Sequence, residues 1–252
     1  YLDADLYFYS SIKPVYEEMG DASILVIPHR FPPRLRSFEK NGIFNVGLVA
    51  SRRDADGIAC INWWRERCIE WCFDRYENGR FADQGYLDKF PELFQKVCIL
   101  KNEGANLAPW NVEQYSIKRR HGQLQVDNTP LIFYHFYGYK QLSDIYLDPG
   151  LTFEKSVAEE CVIKHIYFPY IRAVFKSREL LRSIAQEVPG FGNTRYHDST
   201  FKFFSGRYQL RCFLEGKVIA WFAGRLWYIN PNRFSLVFKI YDRFMKLWRM
   251  KR

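Results

Sequence analysis

The chain has 252 residues, of which 48% are hydrophobic and 18% aromatic, a composition that supplies a core and excludes an intrinsically disordered protein. It contains no run of about 18 uncharged apolar residues, so the sequence predicts no transmembrane helix. The net charge of +9 is concentrated at the end, where residues 231–252 carry seven Lys or Arg against one Asp. This asymmetry indicates contact between the tail and an anionic surface, and it argues against a nucleic-acid-binding protein.

Six cysteines occur without a C-x-x-C pair, so the sequence offers no zinc framework. Cys68 and Cys72 are one helical turn apart beside tryptophans, a spacing typical of reduced cysteines on the apolar face of a helix. We therefore predict a reducing compartment and a cytoplasmic protein, peripheral on the inner face of the membrane where the basic tail docks.

The first residues, 1–8, place two acids one residue apart between apolar side chains. In an extended strand Asp3 and Asp5 share a face, and at a strand end both carboxylates reach the crevice where α/β sheets bind ligands. Considered alone, such a D-x-D is more often a solvated turn. The chain begins without methionine inside this pattern, so we expect a fragment that lacks upstream residues.

Two apolar strands follow, separated by a polar segment. Residues 23–28 are fully apolar, as in a central strand. Residues 29–40 contain prolines and arginines, and we predict a mobile loop of the kind that covers ligands. Residues 42–50 are a second strand, interrupted by Asn45 and Gly47. These two residues indicate either a strand beneath a bound molecule or a plain bulge.

A helix is predicted over residues 58–76 from its apolar spacing, and Asn78-Gly79 ends it. Asp83 and Gln84 then stand where a new helix begins, and local sequence alone makes Asp83 a helix cap. In the loop at 104–111, a tryptophan between amides suits a sugar ring, with a packing anchor as the alternative. These candidate sugar- or acceptor-binding residues are Asn106, Trp110 and Asn111.

An apolar strand at 131–137 delivers His135 near its end, followed by Gly138 and Lys140. A glycine turn followed by a cation is suited to close contact with phosphate oxygens. Together with Asp3 and Asp5, the histidine completes a set of two oxygens and one imidazole. That donor set fits Mn²⁺ or Mg²⁺ held open for a diphosphate.

The composition changes after these motifs, and we place a domain boundary near residue 150, giving domains 1–150 and 151–252. Residues 154–187 are predicted to be helical, and residues 196–230 allow strands or helix. Residues 237–252 form a basic amphipathic helix with an aromatic flank. That pattern is typical of a helix on an anionic membrane surface, with docking against the protein itself as the equal alternative.

Four motifs then occur in order along residues 1–145, and together they resemble retaining glycosyltransferases of the GT-A fold, of the galactosyltransferase/glycogenin type (family 8-like). The motifs are Asp3-Ala4-Asp5, Asn45-Val46-Gly47, Asp83-Gln84 and His135-Phe136-x-Gly138-x-Lys140. The resemblance implies an α/β fold with a Rossmann-like mixed sheet and flanking helices, to which the sequence pattern adds a mainly helical C-terminal extension. It says little about residues 150–252.

The resemblance assigns metal binding to Asp3, Asp5 and His135, with Mn²⁺ or Mg²⁺ as the cofactor. It assigns contact with the donor's diphosphate to Gly138 and Lys140. The Pro-Trp often found after that lysine in the family is absent here.

The resemblance further assigns a donor-facing amide to Asn45 and the place beside the transferred sugar to Asp83 and Gln84. It implies transfer of a hexose, with retention, from a UDP-linked donor to a glycan or lipid-linked acceptor. The base-binding half of such a fold precedes the D-x-D, so this fragment is expected to be inactive. A non-catalytic sugar- or partner-binding module, and a metal-dependent nucleotidyl- or phosphotransferase, are the alternatives.

Overall fold

The computed structural model describes residues 1–141, 146–151, 160–184, 218–222 and 225–229. By its internal contacts the chain forms two compact units, Tyr1–Tyr137 and Gly138–Arg252. The predicted domain boundary near residue 150 lies inside the second of these units. Strands and helices both occur, and the predicted α/β class is confirmed.

The first unit alternates strands and helices along the chain. Its strands are β1 (Leu6–Phe8), β2 (Ile24–Pro28), β3 (Phe44–Ser51), β4 (Val97–Ile99), β5 (Ile117–Arg120), β6 (Gln123–Val126), β7 (Thr129–Pro130) and β8 (Phe133–His135). Its α-helices are α1 (Lys13–Met19), α2 (Ala55–Glu70) and α3 (Phe90–Leu93). Its 3-10 helices are Pro33–Asn41, Gln84–Lys89 and Val112–Gln114.

The predicted apolar strand, β2, is the centre of a three-stranded mixed sheet, antiparallel to β3 and parallel to β4. Leu25 and Ile27 pack into a core cluster with α1, whereas Ile24 and Val26 pack into another with α2 and α3. All four side chains are fully buried. Burial on both faces explains the continuous apolar run, since each such side chain contributes about 1.5–3 kcal/mol.

Two smaller sheets complete the first unit. Strand β1 pairs antiparallel with β8, and β5, β6 and β7 form an antiparallel sheet. The turn between β5 and β6 is His121-Gly122, in which both residues have positive φ, 48° and 81°. Positive φ at both positions is the geometry of a two-residue hairpin whose twist matches the strands.

The D-x-D segment is a turn rather than part of a strand. Leu2 makes an isolated bridge with Leu48, the chain turns at Ala4 and Asp5, and β1 begins only at Leu6. Strand alternation is therefore the wrong reason for Asp3 and Asp5 to lie together. A turn between two short extended pieces brings them to one side instead.

Helix α2 ends at Glu70, six residues before the predicted end at Tyr76. Trp71 is extended, with φ −161°, and buried. Its carbonyl accepts a 2.7 Å hydrogen bond from the Tyr86 hydroxyl, and the Arg80 guanidinium lies 4.7 Å from its ring centroid. These tertiary contacts stop the helix although the apolar spacing continues beyond it.

The sequence predicts a mobile loop at residues 29–40, but only residues 29–32 lack regular secondary structure. His29 is buried, and the following residues form the 3-10 helix Pro33–Asn41, which packs Leu35 against Trp110 and Ala108. The two prolines of this segment do not keep it irregular, because a 3-10 helix accepts proline in its first turn.

The five cysteines within the described residues are free thiols. Burial raises the pKa of Cys68, on α2, to about 12, and a thiol with so high a pKa stays protonated and unreactive at neutral pH. Cys72 lies beyond the end of α2 and is exposed. The predicted helical face therefore includes Cys68 but not Cys72.

The second unit contains an antiparallel sheet in the order β12, β11, β10, β9. Its strands are β9 (Lys140–Gln141), β10 (Tyr146–Asp148), β11 (Val218–Phe222) and β12 (Arg225–Ile229). Its helix runs through α4 (Glu160–Val162), a π turn (Ile163–Tyr167) and α5 (Phe168–Ile184). The described part of the predicted helix 154–187 is thus helical, and the described parts of 196–230 are strands.

The predicted tail helix, 237–252, lies outside the described residues, and its membrane contact stays a prediction. Within the part of the chain that the structure describes, none of the helices combines the length and the apolar character needed to cross a membrane.

Candidate metal centre

Two acids and a histidine meet where β1 begins and β8 ends. The backbone N–H of Asp3 donates to the carbonyl of Gly47 at 2.9 Å, and the N–H of Phe136 donates to the carbonyl of Asp5 at 2.9 Å. The backbone of the first acid is therefore bonded to β3, and that of the second to the residue that follows β8. His135, the last residue of β8, lies opposite the first residue of β1.

The three side chains converge on a single point. His135 Nε2 lies 3.1 Å from Asp5 Oδ1 and 3.7 Å from Asp3 Oδ2. One ligand atom from each residue lies within 4.8 Å of the others. Metal–oxygen bonds of about 2.1 Å in an octahedron place neighbouring ligand atoms about 3 Å apart and opposite ones about 4.2 Å apart. The donor atoms and their spacing therefore fit one Mn²⁺ or Mg²⁺.

No other group of three His, Cys, Asp or Glu with this spacing occurs among the described residues. The predicted set of Asp3, Asp5 and His135 is thus brought together by the fold from opposite ends of the first unit. Exposed acids do cluster without a metal, so the discriminating feature is the histidine, whose side chain is buried while both acids are partly exposed.

The two acids have different neighbours. The Tyr1 hydroxyl donates to Asp3 Oδ1 at 2.8 Å, and this hydrogen bond, with burial, raises the pKa of Tyr1 to about 12. Burial works to raise the pKa of Asp5, but the hydrogen bond and charge of His135 outweigh it and hold that pKa below its ordinary value. Asp5 therefore stays ionised at neutral pH, as a metal ligand must be.

Asn45 lies behind the histidine and is buried. Its Oδ1 lies 3.2 Å from His135 Nδ1 and accepts from the N–H of Gly47 at 3.2 Å. Its Nδ2 lies 3.3 Å from His29 Nε2 and 3.3 Å from Gln84 Oε1. The amide predicted to face a donor is thus surrounded by protein partners, and its contact with a donor stays a prediction.

The neighbouring pair, Asp83 and Gln84, reaches the same region. Gln84 Oε1 accepts from the N–H of Val46 at 3.4 Å, and Gln84 Nε2 donates to the carbonyl of Asn41 at 3.1 Å. Asp83 is the N-cap residue of the 3-10 helix Gln84–Lys89, as the local sequence predicts, but its side chain makes no capping hydrogen bond there. Burial and then the charge of Asp3 raise the pKa of Asp83.

The loop at 104–111 is buried rather than exposed. Trp110 Nε1 and Asn111 Nδ2 both donate to the carbonyl of His29 at 2.9 Å, and Asn106 is almost completely buried. The Trp110 ring meets the His135 ring edge-on, with centroids 5.2 Å apart. Trp110 thus has the packing role that the sequence analysis gave as the alternative to sugar contact. Contact of these three residues with a sugar stays a prediction, and their burial does not favour it.

Gly138 and Lys140 belong to the second unit. Gly138 has φ +75°, a conformation that favours glycine in a turn, and Lys140 is exposed at the start of β9. Their contact with a diphosphate stays a prediction.

Sequence reasoning missed His29, which it assigned to a loop. A signal was present: His29 directly follows the apolar strand 23–28, just as His135 ends an apolar strand. Burial lowers the pKa of His29 to about 4, so it is neutral at physiological pH. Sequence reasoning also missed Trp64, whose indole N–H donates to the carbonyl of Asp83 at 2.9 Å.

No protein-family model matches the chain, and no solved structure matches it. Two proteins of Bacillus subtilis (strain 168) are similar to it. YfnD is 36% identical over 174 residues, covering 68% of this chain and 55% of YfnD. YfnF is 39% identical over 153 residues, covering 57% of this chain and 50% of YfnF. Both are described as uncharacterized, and the chain spans about half the length of each.

Proposed function

We propose that the chain is part of a metal-dependent, retaining glycosyltransferase of the GT-A fold that transfers a hexose from a UDP-linked sugar to a glycan or lipid-linked acceptor. The observation that carries the proposal is the convergence of Asp3 and Asp5 with His135, with donor atoms spaced for one Mn²⁺ or Mg²⁺. The relatives add no support for an activity, because both are uncharacterized.

A divalent ion held by these three residues would neutralise the charge that develops on a departing nucleoside diphosphate. The chain's own residues shape the rest of the site. Asp83 has a half-buried carboxylate near Asp3, and burial and then the charge of Asp3 raise its pKa. In the proposed reaction this carboxylate would accept hydrogen bonds from hydroxyls of the transferred sugar.

Gln84 is an unsuitable nucleophile in this arrangement. An amide is a weak nucleophile, and both ends of this one are hydrogen-bonded to the protein, with Oε1 on Val46 N–H and Nε2 on the Asn41 carbonyl. We therefore favour attack of the acceptor on the same face that the diphosphate leaves. The leaving phosphate then takes the proton of the acceptor hydroxyl.

The test uses the full-length protein with UDP-hexoses and Mn²⁺, following release of UDP. Asp5→Asn and His135→Gln are expected to abolish metal-dependent release because each removes one ligand. Asp21→Asn is the matched control, since it changes an exposed carboxylate in the turn after α1. Turnover and metal dependence that survive in both ligand variants would refute the proposal.

The products distinguish the alternatives. A glycoside and UDP support glycosyl transfer, whereas pyrophosphate or a phosphorylated product indicates a nucleotidyl- or phosphotransferase. Glycan binding without any metal-dependent consumption of donor indicates a non-catalytic module. The burial of Trp110 argues against that last outcome, because it removes the aromatic surface that such a module uses.

A further inference from the structure

We infer that Asn45 is a positioning residue, which fixes the tautomer and ring orientation of His135 so that Nε2 is presented to the metal. The inference rests on the proposed function for the role of the metal, but it concerns binding rather than transfer. It is carried by a chain of hydrogen bonds that links the buried His29, Asn45 and His135.

Two backbone N–H groups identify the oxygen and the nitrogen of the side-chain amides of Asn45 and Gln84. The N–H of Gly47 can only donate, so the Asn45 atom 3.2 Å away is the oxygen. The N–H of Val46 likewise faces an oxygen on Gln84 at 3.4 Å. The nitrogen of Asn45 then lies 3.3 Å from that oxygen and donates to it. Both amide orientations therefore follow from the backbone.

The orientation of Asn45 dictates the protonation of both histidine rings. His135 Nδ1 lies 3.2 Å from the Asn45 oxygen, so Nδ1 carries a hydrogen and donates it. When an ion is held there, the neutral ring then has its lone pair on Nε2, the atom that faces Asp3 and Asp5. On the other side, His29 Nε2 accepts from the Asn45 nitrogen, and its Nδ1 donates to the Ile43 carbonyl at 3.1 Å.

Packing holds the same ring in place. A Cβ at Gly47 would lie 2.6 Å from Asn45 Oδ1 and 2.8 Å from His135 Nδ1, so only glycine admits this contact. The edge of the Trp110 ring approaches the His135 ring, with centroids 5.2 Å apart. The N-x-G motif thus has a structural meaning: the asparagine provides the acceptor and the glycine provides the room.

A partner on the non-ligating nitrogen of a metal-bound histidine raises its basicity and fixes its orientation, and removing such a partner typically lowers metal affinity about 10–100-fold. Asn45→Ala is therefore expected to weaken Mn²⁺ binding by that factor in calorimetric titration of the full-length protein. Asn45→Asp keeps an oxygen acceptor for Nδ1–H and is expected to recover most of the affinity. A purely structural role would not produce that rescue.

The control variant is Asn102→Ala, which removes another asparagine whose Oδ1 accepts from a backbone N–H, that of Gly104 at 2.9 Å, but which does not contact the histidines. It is expected to reduce stability while leaving Mn²⁺ affinity unchanged. Equal losses of affinity in Asn102→Ala and Asn45→Ala would indicate a general structural effect and overturn the inference.

The tautomer of His135 can be determined in the wild-type protein, without a substitution. In the Mg²⁺-loaded wild-type protein, ¹H–¹⁵N correlation spectra of labelled histidines are expected to show a proton on Nδ1 of His135 and none on Nε2. A proton on Nε2 instead, wild-type Mn²⁺ affinity in Asn45→Ala, or no Mn²⁺ binding by the wild type would each overturn the inference. Binding as expected without release of UDP would leave it intact and contradict the proposed glycosyl transfer.

Discussion

Replacing Gly47 by alanine tests the packing behind the candidate metal centre most directly. The new Cβ would lie 2.6 Å from Asn45 Oδ1 and 2.8 Å from His135 Nδ1, closer than real Cβ atoms approach such groups. Gly47 is not among the glycines with positive φ, so backbone strain adds nothing and the effect is steric. Either Asn45 or the histidine ring must move.

The magnitude follows from three contributions. Overpacking a well-filled site costs about 1–3 kcal/mol, and losing the hydrogen bond between Asn45 and His135 costs about 1 kcal/mol. Alanine also restricts the unfolded chain, which offsets about 0.4–1 kcal/mol. We expect Gly47→Ala to lower the free energy of unfolding by about 1–3 kcal/mol and to weaken Mn²⁺ binding about 10–100-fold.

Urea unfolding and Mn²⁺ titration measure the two effects, and two other glycines supply controls. At Gly85 the nearest atoms to a new Cβ are 3.7 Å away, so Gly85→Ala is expected to be neutral or slightly stabilising. At Gly57 a Cβ would lie 2.2 Å from the Arg52 carbonyl oxygen, so Gly57→Ala is expected to destabilise without changing Mn²⁺ affinity. Wild-type stability and affinity in Gly47→Ala would refute the packing argument.

Burial lowers the pKa of His29 to about 4, so between pH 6.5 and 4 the unfolded chain binds a proton that the native protein does not. The free energy of unfolding therefore decreases as the pH falls through that window, by up to about 3 kcal/mol. Urea unfolding of His29→Gln is expected to lack that part of the pH dependence, and an unchanged slope would contradict it. Ala82 has φ +44°, a conformation that strains alanine but not glycine. Ala82→Gly is therefore expected to change the free energy of unfolding by less than about 0.5 kcal/mol, whereas Ala59→Gly within α2 is expected to lower it by about 1 kcal/mol. Equal losses in the two variants would contradict strain at Ala82. Deleting residues 231–252 is expected to weaken co-sedimentation with anionic vesicles and reduce its salt dependence, and unchanged binding would exclude the membrane interpretation of the tail.

The strands that sequence predicted correctly are those whose pattern is local. β2 is apolar throughout because both of its faces are buried, and β8, within the apolar strand predicted at 131–137, is buried at all three residues. The convergence of the candidate metal ligands was predictable for a different reason: a D-x-D and a strand-ending histidine are recognisable chemistry, whatever path the chain takes between them. That part of the candidate site needed no knowledge of tertiary contacts.

What the sequence did not predict depends on contacts between distant residues. Helix α2 stops where Trp71 enters the core, although the apolar spacing that predicts a helix continues past it. Trp110 has a polar indole nitrogen and lies in a loop, and its hydrogen bond to the distant His29 carbonyl is one of the contacts that make the loop internal. The partners of Asn45 were hidden for the same reason, because they come from three separate segments.

Insertions and deletions are not expected to be tolerated equally along this protein. The register between β1 and β8 decides whether His135 lies beside Asp3 and Asp5. Tyr134 and Phe136 are as deeply buried as His135, so a one-residue deletion in β8 would still fill the core while replacing the imidazole by a phenyl or phenol ring. Insertions at the exposed His121-Gly122 turn leave that register untouched. Length variation is therefore expected at this hairpin, whereas β8 must keep its residue count for the proposed ion site to form.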